Sequence, residues 1–270
     1  MIFNCDPYLP SSLFYEPMLS LLSPAKTLDV DRLFPTPMIT KPTFFEDSLE
    51  LATSLRAMTA TEIGELMKIS DNLAQLNFQR YQDFSAFNTS HNKPALTTFR
   101  GDVYKAFNRE EFTVDDYLFA QEHLGILSGL YGVLKPLDGI QPYRLEMGTK
   151  LANSRGKNLY AYWQEKVSNY LNIALQSQSQ PTIVNLASQE YIKVVDQKRL
   201  SFPMITITFK EIHKGKLKVI AIKSKRARGV MANWLIKQKI DTPEQLTTFN
   251  EDDYSYQEHL SSESELVFTR

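Results

Sequence analysis

Apolar and polar positions alternate along this chain with two periods, and the periods divide it into elements. Residues 18–22, Met-Leu-Ser-Leu-Leu, form a short apolar run of the kind a buried strand shows. From 43 to 58 apolar residues recur at helical spacing, with Glu46, Asp47 and Glu50 near the start, where the helix dipole favours acids. Thr59-Ala60-Thr61-Glu62 is a capping box, followed by Ile63, Leu66 and Met67 on one face. Ser70-Asp71 opens a further helix to about 84, and 86–94 is a polar loop. The stretch 95–107 reads as a strand broken by the turn-like Arg100-Gly101-Asp102, with a short helix after it. Thr113 and Asp116 cap a helix expected to run to about 127.

Residues 128–148 are punctuated by Gly129, Gly132, Pro136, Gly139, Pro142 and Gly148, which predicts loops. A long amphipathic helix follows over 158–178, with Leu159, Tyr162, Trp163, Val167, Tyr170 and Leu171 at core spacing. Residues 181–186 form a second buried strand. Residues 204–212 and 217–222 alternate like antiparallel strands around the turn His213-Lys214-Gly215-Lys216. A helix over 229–239, a short one opened by Thr242-Pro243-Glu244, and a strand at 266–268 complete the pattern. No repeat and no Gly/Ser-rich linker divides the chain. The prediction is an α+β fold: a single domain over 18–270, a mixed β-sheet surrounded by helices.

Composition narrows the class. The chain has 270 residues, 43% hydrophobic and 23% charged, as in a soluble globular protein. No apolar run approaches the roughly 20 residues of a membrane span. Residues 1–17 lack a clear period and any Lys or Arg, so a secretory or transit signal is not expected there. They read as an N-terminal extension, disordered or arising from an upstream start. The one cysteine, Cys5, lies within it, which argues against disulfides, Cys-ligated zinc and a cysteine nucleophile, and for a reducing cytoplasmic setting. The four histidines are isolated, and no metal spacing, P-loop, Rossmann fingerprint or serine elbow is present. Neither a metal nor a cofactor is expected. The net charge of -1 gives no global attraction to nucleic acid, so such binding needs a local patch.

That patch is visible. Between 214 and 228 stand Lys214, Lys216, Lys218, Lys223, Lys225, Arg226 and Arg228, with no acid among them. The first three alternate, so a strand would show them on one face; they serve equally as a solvated edge that deters strand pairing. Lys225 and Arg228 lead into a helix expected to begin near Gly229, where free N–H groups and the dipole suit a phosphate. A second candidate is Leu127-Ser128-Gly129-Leu130-Tyr131-Gly132, a helix running into Gly-x-x-Gly. This is the shape of a helix-hairpin-helix element, whose backbone amides at Gly129 and Gly132 approach a DNA phosphate. The same glycines would serve equally as a helix cap and a tight turn. Further polar groups sit at strand ends and loops. Ser23, Lys26, Thr27 and Asp29 follow the first strand, Arg144 and Glu146 share a face if extended, and Asn185, Glu190 and Tyr191 follow the strand at 181–186. If the protein is an enzyme, the candidate catalytic residues are Lys26, Asp29, Arg144 and Glu146, working on a nucleotide, nucleobase or related small substrate.

Taken together, several segments resemble the YaaA family of bacterial peroxide-stress proteins. They are Ser-Pro-Ala-Lys-Thr-Leu-Asp at 23–29, Phe-Arg-Gly-Asp-Val-Tyr at 99–104, Leu-Ser-Gly-Leu-Tyr-Gly-Val-Leu-Lys-Pro-Leu-Asp at 127–138, Gln-Pro-Tyr-Arg-Leu-Glu-Met-Gly at 141–148, Asn-Leu-Ala-Ser at 185–188 and Lys-Arg-Ala-Arg-Gly at 225–229. The resemblance implies a single α+β domain beginning near residue 18, with a helix-hairpin-helix and a positively charged cleft. It further implies a cytoplasmic protein that binds double-stranded or distorted DNA and limits free iron under hydrogen peroxide. The family's motif residues map onto Lys26, Asp29, Arg144, Glu146, Lys225 and Arg228. A monomer with a possible small ligand in the cleft is the expected form.

Overall fold

In the computed structural model, which describes residues 18–32, 34–176 and 181–270, the first apolar run forms strand β1 (Leu19–Leu22). The extension expected over 1–17, Cys5 included, and the last residues of the helix expected to reach 178 lie outside the described residues. A two-residue ladder strand, β2 (Thr27–Leu28), leads to α1 (Phe45–Arg56), α2 (Ala60–Met67) and α3 (Asp71–Asp83). Then come β3 (Lys93–Pro94), the single turn α4 (Ala95–Thr98), β4 (Phe99–Arg100) and the helix α5 (Val114–His123). The hairpin β5 (Leu124–Ser128) and β6 (Gly132–Leu134) and the short β7 (Gly139–Ile140) precede the long helix α6 (Leu159–Leu175). The last third holds β8 (Ile183–Asn185), α7 (Gln189–Ile192), β9 (Met204–His213), β10 (Lys216–Lys218), α8 (Ala221–Gln238), β11 (Ser255–Tyr256) and β12 (Glu265–Thr269).

The capping boxes read from sequence are formed. The Thr59 hydroxyl accepts from the Glu62 N–H and the Thr113 hydroxyl from the Asp116 N–H, while both acids reach back to the cap residue's own N–H. Asn158 caps α6 in the same sense. One mixed sheet runs β11-β12-β9-β8-β1-β5-β6, with β10 added to the far end of β9. The pairs from β12 to β5 are parallel and the flanking pairs are antiparallel. The mixed sheet and single core match the sequence reading, but the parallel middle gives the fold more α/β character than expected. Every residue of β1, β5 and β8 is buried, as a sheet covered on both faces requires.

This topology positions a site. Parallel strands place the carboxyl ends of β1, β5 and β8 on one edge of the sheet. Strand order also reverses at β1: the chain passes to β5 on one side and later to β8 on the other. Loops leaving neighbouring strands at such a reversal separate and leave a crevice.

Four expectations are corrected. The helix capped at Thr113 ends at His123, and Leu124–Ser128 is a central strand instead. A strand buried on both faces has no period of its own, so nothing in the text marks where the helix stops. As a result, Gly129 and Gly132 lie in the turn of a buried β-hairpin, and no helix-hairpin-helix is formed there. The Ser128 hydroxyl already accepts the N–H groups of Leu130 (3.2 Å) and Tyr131 (3.0 Å), so these amides are not offered to a phosphate. Packing explains both glycines. A Cβ on Gly129 would lie 2.3 Å from the Leu145 carbonyl oxygen, and Gly132, at φ +69, would press one 2.7 Å from the Trp163 ring. A tight helical pair does occur elsewhere, α2 and α3, linked through Lys68 in the left-handed conformation.

The strand expected over 95–107 is α4, the ladder β4 and a 3-10 turn at Tyr104–Ala106. Residues 95–99 are buried without a break, so burial gives this stretch no period that separates a strand from a turn. Finally, α8 begins at Ala221 rather than near Gly229, so the strand expected over 217–222 is cut short. The first turns of α8 face inward through Ser224, Ala227 and Gly229, small residues that a search for apolar periodicity passes over.

Candidate functional site

Three loops meet at the carboxyl edge of the sheet. Pro24 cannot extend the ladder of β1, so the chain turns away after Ser23. The Ser23 hydroxyl accepts the Ser188 N–H at 2.9 Å and lies 3.2 Å from the Ser188 hydroxyl, tying the β1 loop to the β8 loop. The Tyr104 hydroxyl donates to the Ser23 carbonyl at 2.8 Å, adding the segment that follows β4. Between these loops and the outer turns of α8 lies a cavity of about 440 Å³. It receives Lys26 from the first loop, Arg100, Asp102 and Lys105 from the second, Glu190 and Tyr191 from the third, and Lys225 and Arg228 from α8.

Charge dominates this cavity, with five cationic side chains facing two carboxylates. Arg228 is the most telling of them. Its Nε is buried without a hydrogen-bond partner, and burial lowers the guanidinium below the ordinary arginine range. Arginine nevertheless stays protonated at neutral pH, so a positive charge is held partly out of water without an acid beside it. Lys225, one turn earlier, stands on the same side of the helix. Glu190, which lines the cavity, accepts the Gly148 N–H at 3.0 Å. Burial first, then Tyr143, Glu190 and Glu146, pushes the Tyr191 phenol far above its usual value, so it acts as a neutral hydroxyl.

A narrower cleft, sharing Pro24, Ala25, Lys26 and Tyr191 with the cavity, contains Arg144 and Glu146. Glu146 is held by two cations, Lys26 at 2.5 Å and Arg144 at 3.0 Å. Tyr81, from α3, fixes this segment by donating to the Arg144 carbonyl at 2.6 Å. The Arg144 Nε is a second buried guanidinium nitrogen without a partner. Among the described residues, no group of three or more His, Cys, Asp or Glu is placed to hold a metal ion.

The profile of a family described as peroxide stress protein YaaA matches residues 18–260. The chain belongs to the YaaA family. It is 48% identical over 254 residues to a UPF0246 protein of Saccharophagus degradans, covering 94% of this chain and 99% of that one. It is likewise 47% identical over 255 residues to UPF0246 protein lpl1317 of Legionella pneumophila, with the same coverage.

The YaaA motif residues do not all arrive at one place. Lys26, Lys225 and Arg228 line the cavity, with Arg144 and Glu146 adjoining it through Lys26. Asp29 lines neither. Its carboxylate accepts the Arg32 N–H at 3.2 Å and stands 3.8 Å from Arg100, so it orients a cavity cation. Lys223 is paired with Glu211 and Arg226 with Asp252, both away from the cavity. Lys214, Lys216 and Lys218 project from the β9–β10 hairpin and are exposed. Asn185 is spent on the Ala187 N–H and Thr206. Lys105 was not anticipated, because a strand was expected where the structure has a 3-10 turn.

Proposed function

We propose that this YaaA-family member binds DNA as part of the cytoplasmic response to hydrogen peroxide, with the cavity at β1 holding a phosphate-bearing nucleotide. The observation that carries this reading is the unpartnered, half-buried Arg228 beside Lys225, Lys105 and Lys26 at a strand-order reversal. A partly desolvated guanidinium is poised for bidentate contact with an anion, the arginine's share of the desolvation cost being already met in the folded protein. The exposed lysines at 214, 216 and 218 add charge for the flanking backbone. Protection of DNA would follow from this binding; the lowering of free iron that the family resemblance implies has no counterpart among the residues of the cavity.

Anisotropy titration of a labelled duplex from about 50 to 200 mM salt tests the proposal. With four to six phosphates engaged, log K falls with log salt at a slope of roughly -4 to -5. A flat response would overturn it.

The Lys26–Glu146–Arg144 arrangement favours a second reading, chemistry on the held nucleotide, with Lys26 as nucleophile or charge stabiliser. Combining Lys26→Ala with Glu146→Gln separates the two. Loss of peroxide protection at unchanged DNA affinity supports chemistry, whereas parallel loss of both supports binding alone.

A further inference from the structure

The β9–β10 hairpin is unlike the rest of the surface. As far as Lys210, β9 pairs with β12; beyond it the Ile212 N–H still donates to the Arg270 carbonyl at 3.2 Å, while Glu211 to His213 form the ladder with β10. The turn at Lys214 and Gly215 has φ of +51 and +74, the two left-handed residues of a tight hairpin turn. Ile212 and Leu217 are directly opposite each other and 70% and 41% exposed. Val219 is 54% exposed and Ile222, in the first turn of α8, 65%. Single exposed aliphatics are ordinary, but four within eleven residues are not. The alternate face carries Lys216 and Lys218, the latter opposite the buried Glu211, with Lys214 at the tip, and there is no acid from 212 to 228.

We infer that the exposed aliphatic face of this hairpin is a wedge that opens a base step of bound duplex DNA and so releases one nucleotide toward the cavity. The inference rests on the DNA-binding reading above. Lysines at the tip and on the alternate face, beside an aliphatic face, complement a polyanion that has an apolar interior, and a stacked duplex is such a partner. Minor-groove binders insert Leu, Ile or Met between base steps while cations hold the adjacent phosphates. The placement along α8 joins wedge to cavity: Ile222, Lys225 and Arg228 are three apart on successive turns, with roughly 5 Å between neighbours. An exposed apolar residue therefore leads directly to the cations that line the cavity. At about 440 Å³ the cavity is in the range that takes one small ligand and far too small for a duplex, so DNA enters it only as an unstacked nucleotide.

The test uses a duplex carrying 2-aminopurine at a mismatched step, whose fluorescence rises on unstacking, with affinity read separately by anisotropy. The wild-type protein is expected to raise the fluorescence several-fold. The Ile212→Ser/Leu217→Ser variant is expected to bind within about threefold of wild type at an unchanged salt slope, yet to lose that rise. Lys216→Gln/Lys218→Gln is expected to lower affinity and reduce the salt slope by about two. A full fluorescence rise with the serine variant, its affinity unchanged, overturns the wedge and leaves DNA binding standing. An effect of the serine substitutions confined to anionic vesicle binding, or to self-association by light scattering, also overturns it. Absence of any salt-dependent DNA binding by the wild type removes both. The substituted side chains are exposed, and matching thermal melts confirm that the variants fold.

Discussion

At Arg228 function and stability pull in opposite directions. A guanidinium partly removed from water, without an acid beside it, costs the folded protein free energy that a ligand anion would return. Arg228→Met keeps the length and apolar stem but removes the charge. The variant should be more stable by about 1 kcal/mol in urea unfolding while binding DNA roughly tenfold more weakly. A variant less stable than the wild type would mean that Arg228 is a structural cation instead. Lys225 and Arg228 were identifiable from the acid-free basic run. Asp29 looked equivalent in sequence, yet it works through Arg100, because a loop's side-chain directions are set by packing that the text does not contain.

Helix α8 shows why elements were less legible than residues. Its inward face opens with Ser224, Ala227 and Gly229, small because the Tyr104–Ala106 turn approaches so closely. A Cβ on Gly229 would lie 2.0 Å from the Val103 carbonyl oxygen, a backbone atom that cannot swing aside. Gly229→Ala should therefore destabilise by about 2–3 kcal/mol and weaken DNA binding as well, since the turn it displaces carries Tyr104 and Lys105 into the cavity. Gly215→Ala is the stability control: φ is +74 but nothing lies within 4 Å, so only roughly 1 kcal/mol of backbone strain is expected. Urea midpoints of the two variants decide the matter; equal destabilisation would refute the close-approach argument. Caps were easier. Thr59 and Thr113 each announce a helix start by a local rule, whereas the joint between His123 and Leu124 depends on burial by distant segments.

Across the whole molecule, α8 spans from the cavity to a clamp on α5, where Lys237 and Lys239 hold the Asp116 carboxylate at 2.9 and 2.7 Å. Burial alone would raise the Asp116 carboxyl, but Lys239, the Thr113 N–H and Lys237 outweigh it and hold it down to about 2. The folded state thus gives up this proton more readily than the unfolded chain, whose carboxyl titrates near 4. Its stabilisation is complete above about pH 4 and is lost as pH falls through about 2. Asp138 has the opposite sign. Burial pushes it up to about 6, against the opposing Lys135 N–H and Thr40 hydroxyl, so the folded state keeps the proton longer. Its contribution is complete below about pH 4 and is lost as pH rises through about 6. The joint contribution of these two groups is greatest near pH 4 and falls on both sides. Scanning fluorimetry from about pH 2 to 8 should show Asp116→Asn flattening only the acid limb, and Asp138→Asn only the limb toward neutrality. An acid limb as steep in Asp116→Asn as in wild type would show that the clamp between α5 and α8 does not carry the low-pH stability of the fold.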